Sequence, residues 1–404
     1  MAGRDSSDQA VADWLLDQAL LAPRIEALLP RFAERLGATG LDLARIFFGG
    51  TILHPEYDSF SCIWTPEALQ TADHPYDDEN IDWQASPIRQ AITEKREITR
   101  YRLRDGDGCD RFPLLESFRT RGLTDYVILL AIFGYDGTAA EDRDVGIVAS
   151  FATDRPEGFS AADLELLAQC RRPLSLAARN AVSMRVISTL LTTYLGQDVG
   201  QRILSGAVRR GRTQVINAAI LWADLRGFTL LADTVPRGRL VAMLDDYFEC
   251  MAAPVERHGG QVLKFMGDGM LATFAFDDAD VPAACGAAAA AATAAIERTA
   301  ALNLRRAGRG EATMALDVAL HVGEVLYGNV GGQSRMDFTV IGPAVNEASR
   351  MEALCGALDC PLLASRAFVA ASDAPGRFRS VGAHRLRGVR EPQELFTLPD
   401  YNRP

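Results

Sequence analysis

The sequence predicts an α+β protein built in two parts with a helical connection between them, and three features of its 404 residues lead there. The opening run VADWLLDQALLAPRIEALLPRFAERLG (11–37) repeats apolar residues every three or four positions, as a helix does. Short strand-like runs separated by turn-rich stretches then fill the chain to about residue 155. From residue 214 onward, strands and helices alternate compactly.

In the first part, LARIFFGGTIL, SFSCIWT, ITRYRL, DYVILLAIFG and VGIVASFAT read as strands, with DGDGCD (105–110) and GYDGTAAEDRD (134–144) as turns between some of them. The run 159–195 keeps helical periodicity beyond the length of one globular helix, and Ser160 stands at its N-cap position. A helix of that length often couples domains.

In the second part, VINAAILWAD (215–224) reads as a buried strand ending in Asp224. A helix with Leu240, Met243, Leu244, Tyr247, Phe248, Met251 and Val255 on one face follows and stops at Gly259 and Gly260. QVLKFMGDGMLATFAF (261–276) is a hairpin, and the alanine-rich run after it is a packed helix. ALDVALHVGEV and DFTVIG are strands, and PAVNEASRMEAL is a helix with Pro343 in its first turn. The order β-α-β-β-α-β, with additions, is that of a ferredoxin-like core whose crossover helices cover one face of an antiparallel sheet.

Composition narrows the function classes. With 48% hydrophobic residues the chain has material for more than one core, and a net charge of -11 argues against general electrostatic binding to nucleic acid or anionic membrane. The N-terminus MAGRDSSDQAVADW has no basic flank or apolar core of an export leader. The most apolar run, 283–296, is shorter than the roughly 20 residues a bilayer crossing needs. Seven cysteines without a CxxC pair suit a reducing cytoplasm, and no histidine spacing suggests structural zinc. The expectation is a cytoplasmic protein.

The candidate chemistry lies at strand ends of the second part. Asp224 leaves an apolar strand directly before Leu-Arg-Gly-Phe-Thr, a tight turn with free amides able to hold phosphate. Asp268, 44 residues later, stands in the hairpin GDG, and in a ferredoxin-like sheet these strand ends are neighbours. Two carboxylates there can hold a pair of divalent cations about 3.5 to 4 Å apart, as in-line displacement at phosphorus requires. Taken alone, Asp224 also reads as a turn or cap aspartate, and GDG as an ordinary hairpin turn. Asn346 and Arg350, four apart on a helix, project from one face; a guanidinium beside a triphosphate stabilises developing charge, but Glu347 and Glu352 also offer Arg350 a solvated pairing. His321 reads as a packed strand residue.

The stretches ILWADLRGFT, QVLKFMGDGML, HVGEVLYGNVG, DFTVIGPAVNEASRME and LRGVREPQELFTL resemble, in order, the class III nucleotide cyclase catalytic domain over residues 214–399. The resemblance implies that Asp224 and Asp268, joined by the carbonyl of Leu225, ligate two Mg2+ or Mn2+ ions. It implies that Lys264 and Thr339 read the base, that Asn346 orients the ribose, and that Arg350 stabilises the transition state at the α-phosphate. Arg387 falls where the family keeps a basic residue for the terminal phosphates, and the turn Arg226, Gly227, Phe228 and Thr229 would cradle the triphosphate. A head-to-tail homodimer follows, each site taking metal aspartates from one chain and base-reading residues from the other. Lysine is donor-only and suits N1 of adenine, whereas guanine would want a carboxylate, so ATP is the expected substrate and cyclic AMP with pyrophosphate the products. Thr339 departs from the aspartate of many members and resembles the subgroup that includes bicarbonate-responsive enzymes.

The first part resembles a GAF domain in SPIRQAITEKREI, GLTDYVILLAIFGYDG and GIVASFATDRPEGFSAADLELL. The implied division is a GAF-like sensor at 1–185, a helical linker at 186–213 and a catalytic domain at 214–399. A small-molecule pocket would lie between the sheet and the helix near Pro87–Lys95. His54, Trp64 and Tyr126 are candidate lining residues that also read as core aromatics and a capped turn. Alternatives from other classes are a non-catalytic dimeric ligand sensor and a guanylate cyclase.

Overall fold

The computed structural model describes the chain except residues 1, 22, 77–80, 133–145, 210, 278–279, 333 and 400–404, and the side chains of 2–8, 81–82, 132 and 229–230. The turn at 134–144 and the side chain of Thr229 therefore lie outside the described residues. The chain divides into two compact units, Met1–Leu190 and Leu191–Pro404.

The first unit opens with α1 (Ala2–Leu21) and α2 (Ile25–Ala38) rather than one long helix. Pro23 stands between them, and a proline lacks the amide needed to continue the helix while restricting the residue before it. Then come β1 (Arg45–Thr51), β2 (Tyr57–Trp64), β3 (Leu69–Pro75), α3 (Ile81–Gln84), α4 (Pro87–Thr93), β4 (Ile98–Tyr101), α5 (Pro113–Thr120), β5 (Asp125–Ile132), β6 (Gly146–Thr153) and α6 (Ala161–Leu195). The six strands form one antiparallel sheet in the order β3-β2-β1-β6-β5-β4.

Strand alternation sends side chains to two cores. Ile46, Phe48, Val127, Leu129, Ala149 and Phe151 face α2 and α6, and α2 contributes the fully buried Leu28, Leu29, Phe32 and Leu36. Tyr126, Ile128, Leu130, Val148 and Ala152 face Ile88 and Ala91 of α4 and Leu115 and Phe118 of α5. Two helix N-termini of this unit carry serine caps, the expected one at Ser160 and another at Ser86. Ser86 accepts from the Ile88 amide at 3.1 Å, and Ser160 accepts from the Asp163 amide at 3.2 Å while Asp163 accepts from the Ser160 amide at 2.9 Å.

His54, Trp64 and Tyr126 do not share a pocket. Trp64 borders a groove of about 480 Å³ with Pro30 and Glu34, His54 accepts from the Glu56 amide, and Tyr126 is buried on the α4–α5 side of the sheet. They stand on separate strands and loops, so the sequence had no means of setting them on one face.

The second unit contains α7 (Gln197–Leu204), β7 (Thr213–Arg226), α8 (Phe228–Ala232), α9 (Arg237–Arg257), β8 (Gln261–Met266), β9 (Gly269–Phe276), α10 (Val281–Ala307), β10 (Ala315–Gly331), β11 (Met336–Ile341), α11 (Pro343–Glu352), α12 (Cys355–Leu358), β12 (Leu362–Ser365), α13 (Arg366–Ala371), β13 (Arg379–His384) and β14 (Gln393–Thr397). The helix expected to run on through LLTTYLGQDVGQRILSG is broken at Gly196, whose φ of 86° leaves the helical region. The sheet order is β13-β14-β12-β10-β7-β9-β8, with β11 pairing β10. Counting only β7, β8, β9 and β10 gives the antiparallel order fourth-first-third-second of the ferredoxin-like core.

One face of this sheet packs on α9 and α10. Small residues Ala288, Ala291, Ala292 and Ala295 bring α10 close to Ala219, Leu221 and Ala223 of β7. The other face packs Ala218 and Ile220 against Val199 of α7 and against Ala344, Val345 and Ala348 of α11. Tyr327 of β10 donates to Asp198 at 2.7 Å, fastening α7 to the sheet. His321 is buried and shares a 2.9 Å hydrogen bond with Ser365, as a packed strand residue does.

Candidate active site

Asp224 is the third residue from the end of β7, a strand paired on both sides, so its position is fixed by two ladders. Ala223 lies opposite Met270 of β9, which brings Asp224 to the hairpin connecting β8 and β9. That hairpin turns through Gly267 and Asp268 alone. Gly267 has a φ of 66°, and only the first of the two turn residues needs the left-handed region, the pattern of a type II′ turn. Asp268 is thereby held beside Asp224.

The proximity is visible in protonation. Burial, then the charge of Asp268, then that of Asp317, push the Asp224 carboxyl up to about 6. Burial raises Asp268 as well, against the pull of a backbone hydrogen bond. Glu352, the last residue of α11, is pushed up to about 8 by burial and by Asp224, Asp317 and Asp268. Four acids converge here. The approach is close at the backbone too, since a Cβ on Gly269 would lie 2.7 Å from Asp224 Oδ1 and 3.0 Å from the Ala223 carbonyl.

Asp317 faces Asp224 directly across β7 and β10 and is buried. Arg226, two residues along β7, clamps it with Nε–Oδ2 at 2.7 Å and Nη2–Oδ1 at 2.6 Å. Breaking such a sheltered pair costs about 3–5 kcal/mol, so the Arg226 guanidinium stays on Asp317 and only its main chain is free for a ligand. Lys264 behaves differently. Its Nζ bonds Asp337 at 3.0 Å on the surface, an exchangeable contact worth about 1 kcal/mol or less. Thr339 lies on β11, opposite Gly328, and is buried with its Oγ1 bonded to no described residue.

On α11, Asn346 is exposed and Arg350 half-buried, one turn apart. A Cβ on Gly388 would sit 3.5 Å from Arg350 Nη2, which sets the guanidinium against the chain beside the exposed Arg387. Gly227, in the left-handed region at φ 89°, ends β7 and starts α8 at Phe228. Leu225 is buried in the core facing α9 and α10, so its carbonyl alone can serve a ligand.

Residues 212–398 match the family described as the adenylate and guanylate cyclase catalytic domain. Those residues make up most of the second unit, which is similar to a nucleotide cyclase catalytic domain over that span. The chain is 31% identical to the adenylate cyclase of Anabaena cylindrica over 168 residues, 42% of this chain and 33% of that protein. It is 30% identical to adenylate cyclase 1 of Rhizobium meliloti over 178 residues, 44% of this chain and 27% of that one. Among solved structures, the adenylyl cyclase CyaB from P. aeruginosa is similar at 26% identity and a TM-score of 0.42, covering 48% of this chain and 98% of that one. The chain spans about a third of the length of the curated relatives it matches.

Within the second unit, then, the chain gathers Asp224 and Asp268 at one place. Lys264, Asp337 and Thr339 belong to a second grouping around β8 and β11, and Arg350 and Arg387 to a third around α11. Asp317 and Glu352 were not legible as members of the acidic cluster. Asp317 is the one charge at an otherwise apolar position of ALDVALHV, a signal that was available; Glu352 joins only through the tertiary placement of α11.

Proposed function

We propose that the cyclase domain is an adenylate cyclase, closing ATP to 3′,5′-cyclic AMP with release of pyrophosphate in a site completed by a second copy of the chain. The observation that carries the reading is the Asp224–Asp268 pair, two carboxylates forced together at neighbouring strand ends where each is harder to ionise without a cation. Among the described residues no three His, Cys, Asp or Glu side chains form a metal cage. Two carboxylates and the Leu225 carbonyl instead offer hard oxygen donors and leave coordination positions for a triphosphate, which fits Mg2+ or Mn2+. Two such ions would lower the pKa of the ribose 3′-hydroxyl and neutralise the leaving pyrophosphate.

The 3′-oxygen attacks the α-phosphorus, loses its proton to water, and the bond to the pyrophosphate oxygen breaks. The chain's own residues bind and orient. Thr339 Oγ1, buried and unbonded, would accept from the adenine amino group, and Lys264 would exchange Asp337 for N1 of the base. Asn346 would hold the ribose, and Arg350 the charge that develops at the α-phosphate. Arg387 and the amides from Arg226 to Thr229 would hold the outer phosphates. These residues would come from different chains in a homodimer, because Lys264 in one protomer bonds Asp337 and not the metal aspartates.

The first unit would be a GAF-like sensor for a small molecule, acting through the helices around residues 186–213 on the population of closed catalytic dimers. The working setting would be the cytoplasm, without nucleic-acid or membrane partners; no helix among the described residues is long and apolar enough to cross a membrane. A second reading has one observation in its favour: Asp337, already beside Lys264, is a carboxylate that can accept from N1 and N2 of guanine, as a guanylate cyclase needs. Cyclic nucleotide production from ATP and GTP in competition, by wild type beside Asp224→Ala, tests both. Cyclic AMP that falls at least about 100-fold in the variant is expected; equal output from both proteins abandons the enzyme, and preferred cyclic GMP moves the reading to the guanylate class.

A further inference from the structure

The α4–α5 face of the first unit's sheet holds a set of polar groups that its apolar core does not use. Arg45, Phe47, Ser150 and Tyr126 all point to this side, Arg45 and Tyr126 both opposite Ala152 on β6, and Phe47 opposite Ser150. The Arg45 guanidinium lies 5.6 Å from the Phe47 ring and 5.1 Å from the Phe118 ring, and Phe118 in turn lies 5.5 Å from Tyr126. Arg45 has these rings but no hydrogen bond or carboxylate among the described residues. Burial, with the like charge of Arg121 adding to it, pulls its pKa below the usual guanidinium range.

A cation held between rings gains less than withdrawing an ion from water costs. The rings alone leave a deficit. Beside it, the Tyr126 hydroxyl and Ser150 Oγ are both buried, and although the serine is near enough to ease the phenol's ionisation, neither atom makes a well-formed hydrogen bond. Thr99 Oγ1, in the same cross-strand row as Ser150 and Ile128, is a third buried hydroxyl without a partner among the described residues. Buried hydroxyls in folded proteins are nearly always satisfied, so three hydroxyls, with the half-buried Arg45 cation on the same sheet face, lack a common partner among the described residues.

We propose that this face binds a small oxyanion, carboxylate or phosphate, with Arg45 as its charge partner and the hydroxyls of Tyr126 and Ser150 as neutral donors. Arginine presents a planar fork of donors that matches both anions, and the Phe47 and Phe118 rings hold that fork in place. The site lies on the sheet face where the sensor reading puts its ligand and rests on that reading in naming the ligand an anion; its failure leaves a sensor for an uncharged ligand and the cyclase reading untouched.

The test is thermal unfolding of the full chain at fixed ionic strength, with chloride replaced in one arm by acetate and in the other by inorganic phosphate. In wild type an upward shift of at least about 2 °C over chloride is expected in one arm, which identifies the anion. Arg45→Met loses the shift and unfolds at a higher temperature than wild type in chloride, because the unpaired cation is gone. Tyr126→Phe, which removes one oxygen and keeps the core volume, weakens the shift and decides the matter should Arg45→Met not fold. No shift over chloride in either arm overturns the proposal, as does a wild-type-sized shift in either variant.

Discussion

Asp317 and Asp224 oppose each other across two central strands, and like charges placed so are tolerated only because Arg226 neutralises one of them. Asp317→Asn is therefore expected to leave a half-sheltered guanidinium with only the exposed Asp359 carboxylate, 3.9 Å away, as counter-charge and to cost about 3 kcal/mol, read from urea unfolding of the second unit. Replacing both partners, Arg226→Met with Asp317→Leu, should recover most of that loss. Recovery by the double variant is the outcome that separates a charge clamp from simple packing. Protonation gives a second expectation. Glu352 at about 8 and Asp224 at about 6 are both raised above their unfolded values, so the folded chain retains protons that the unfolded chain releases. Their contribution is whole below the ordinary carboxylate range and is lost as pH climbs through 6 and then 8. Without divalent cation, the second unit should melt lower at pH 8.5 than at pH 5, and Glu352→Gln should reduce the stability difference between those two pH values by roughly 2 kcal/mol once solvent screening is allowed for. A slope unchanged in Glu352→Gln would contradict the assignment.

At the level of single elements, the hairpin between β8 and β9 shows how close the tolerances are. Gly269→Ala would drive a methyl group into Asp224 Oδ1 and the Ala223 carbonyl, and backbone on one side prevents easy relief. A loss of about 1–3 kcal/mol is expected, with cyclic nucleotide output falling further than stability explains. Gly267→Ala, two residues away, meets nothing within 4 Å and should cost only the strain of its positive φ, about 1 kcal/mol. Similar activities for the two variants would remove the steric argument. The elements carrying these residues were readable because β7, the hairpin and the helix after Pro343 each combine one clean periodicity with a turn or proline at the boundary. β3 was not readable: LQTADHP is a polar edge strand ending in proline, so neither burial nor alternation marks it. β12 to β14 were missed for a related reason, being four to six residues each and separated by short irregular stretches. Helix continuity failed where one residue, Pro23 or Gly196, overrode a periodic pattern on both sides. Partnerships such as Asp317 with Arg226 depend on register between strands 91 residues apart, which periodicity does not encode.

For the molecule as a whole, the proposed division of each site between two chains has an arithmetic consequence. Asp224→Ala and Arg350→Ala should each be nearly inactive alone. Mixed in equal amounts and allowed to exchange, half the dimers become heterodimers with one intact site of two, restoring about a quarter of wild-type output. No restoration would mean that one chain supplies a whole site. The seven cysteines bear on how such experiments are followed. Six are buried, and Cys109 alone is partly open, packed at the edge of the core that contains Tyr126 and Phe118. A slow, alkaline maleimide reaction should thus attach one dye per native chain at a known place, giving an optical reporter on the first unit without engineering any other thiol away.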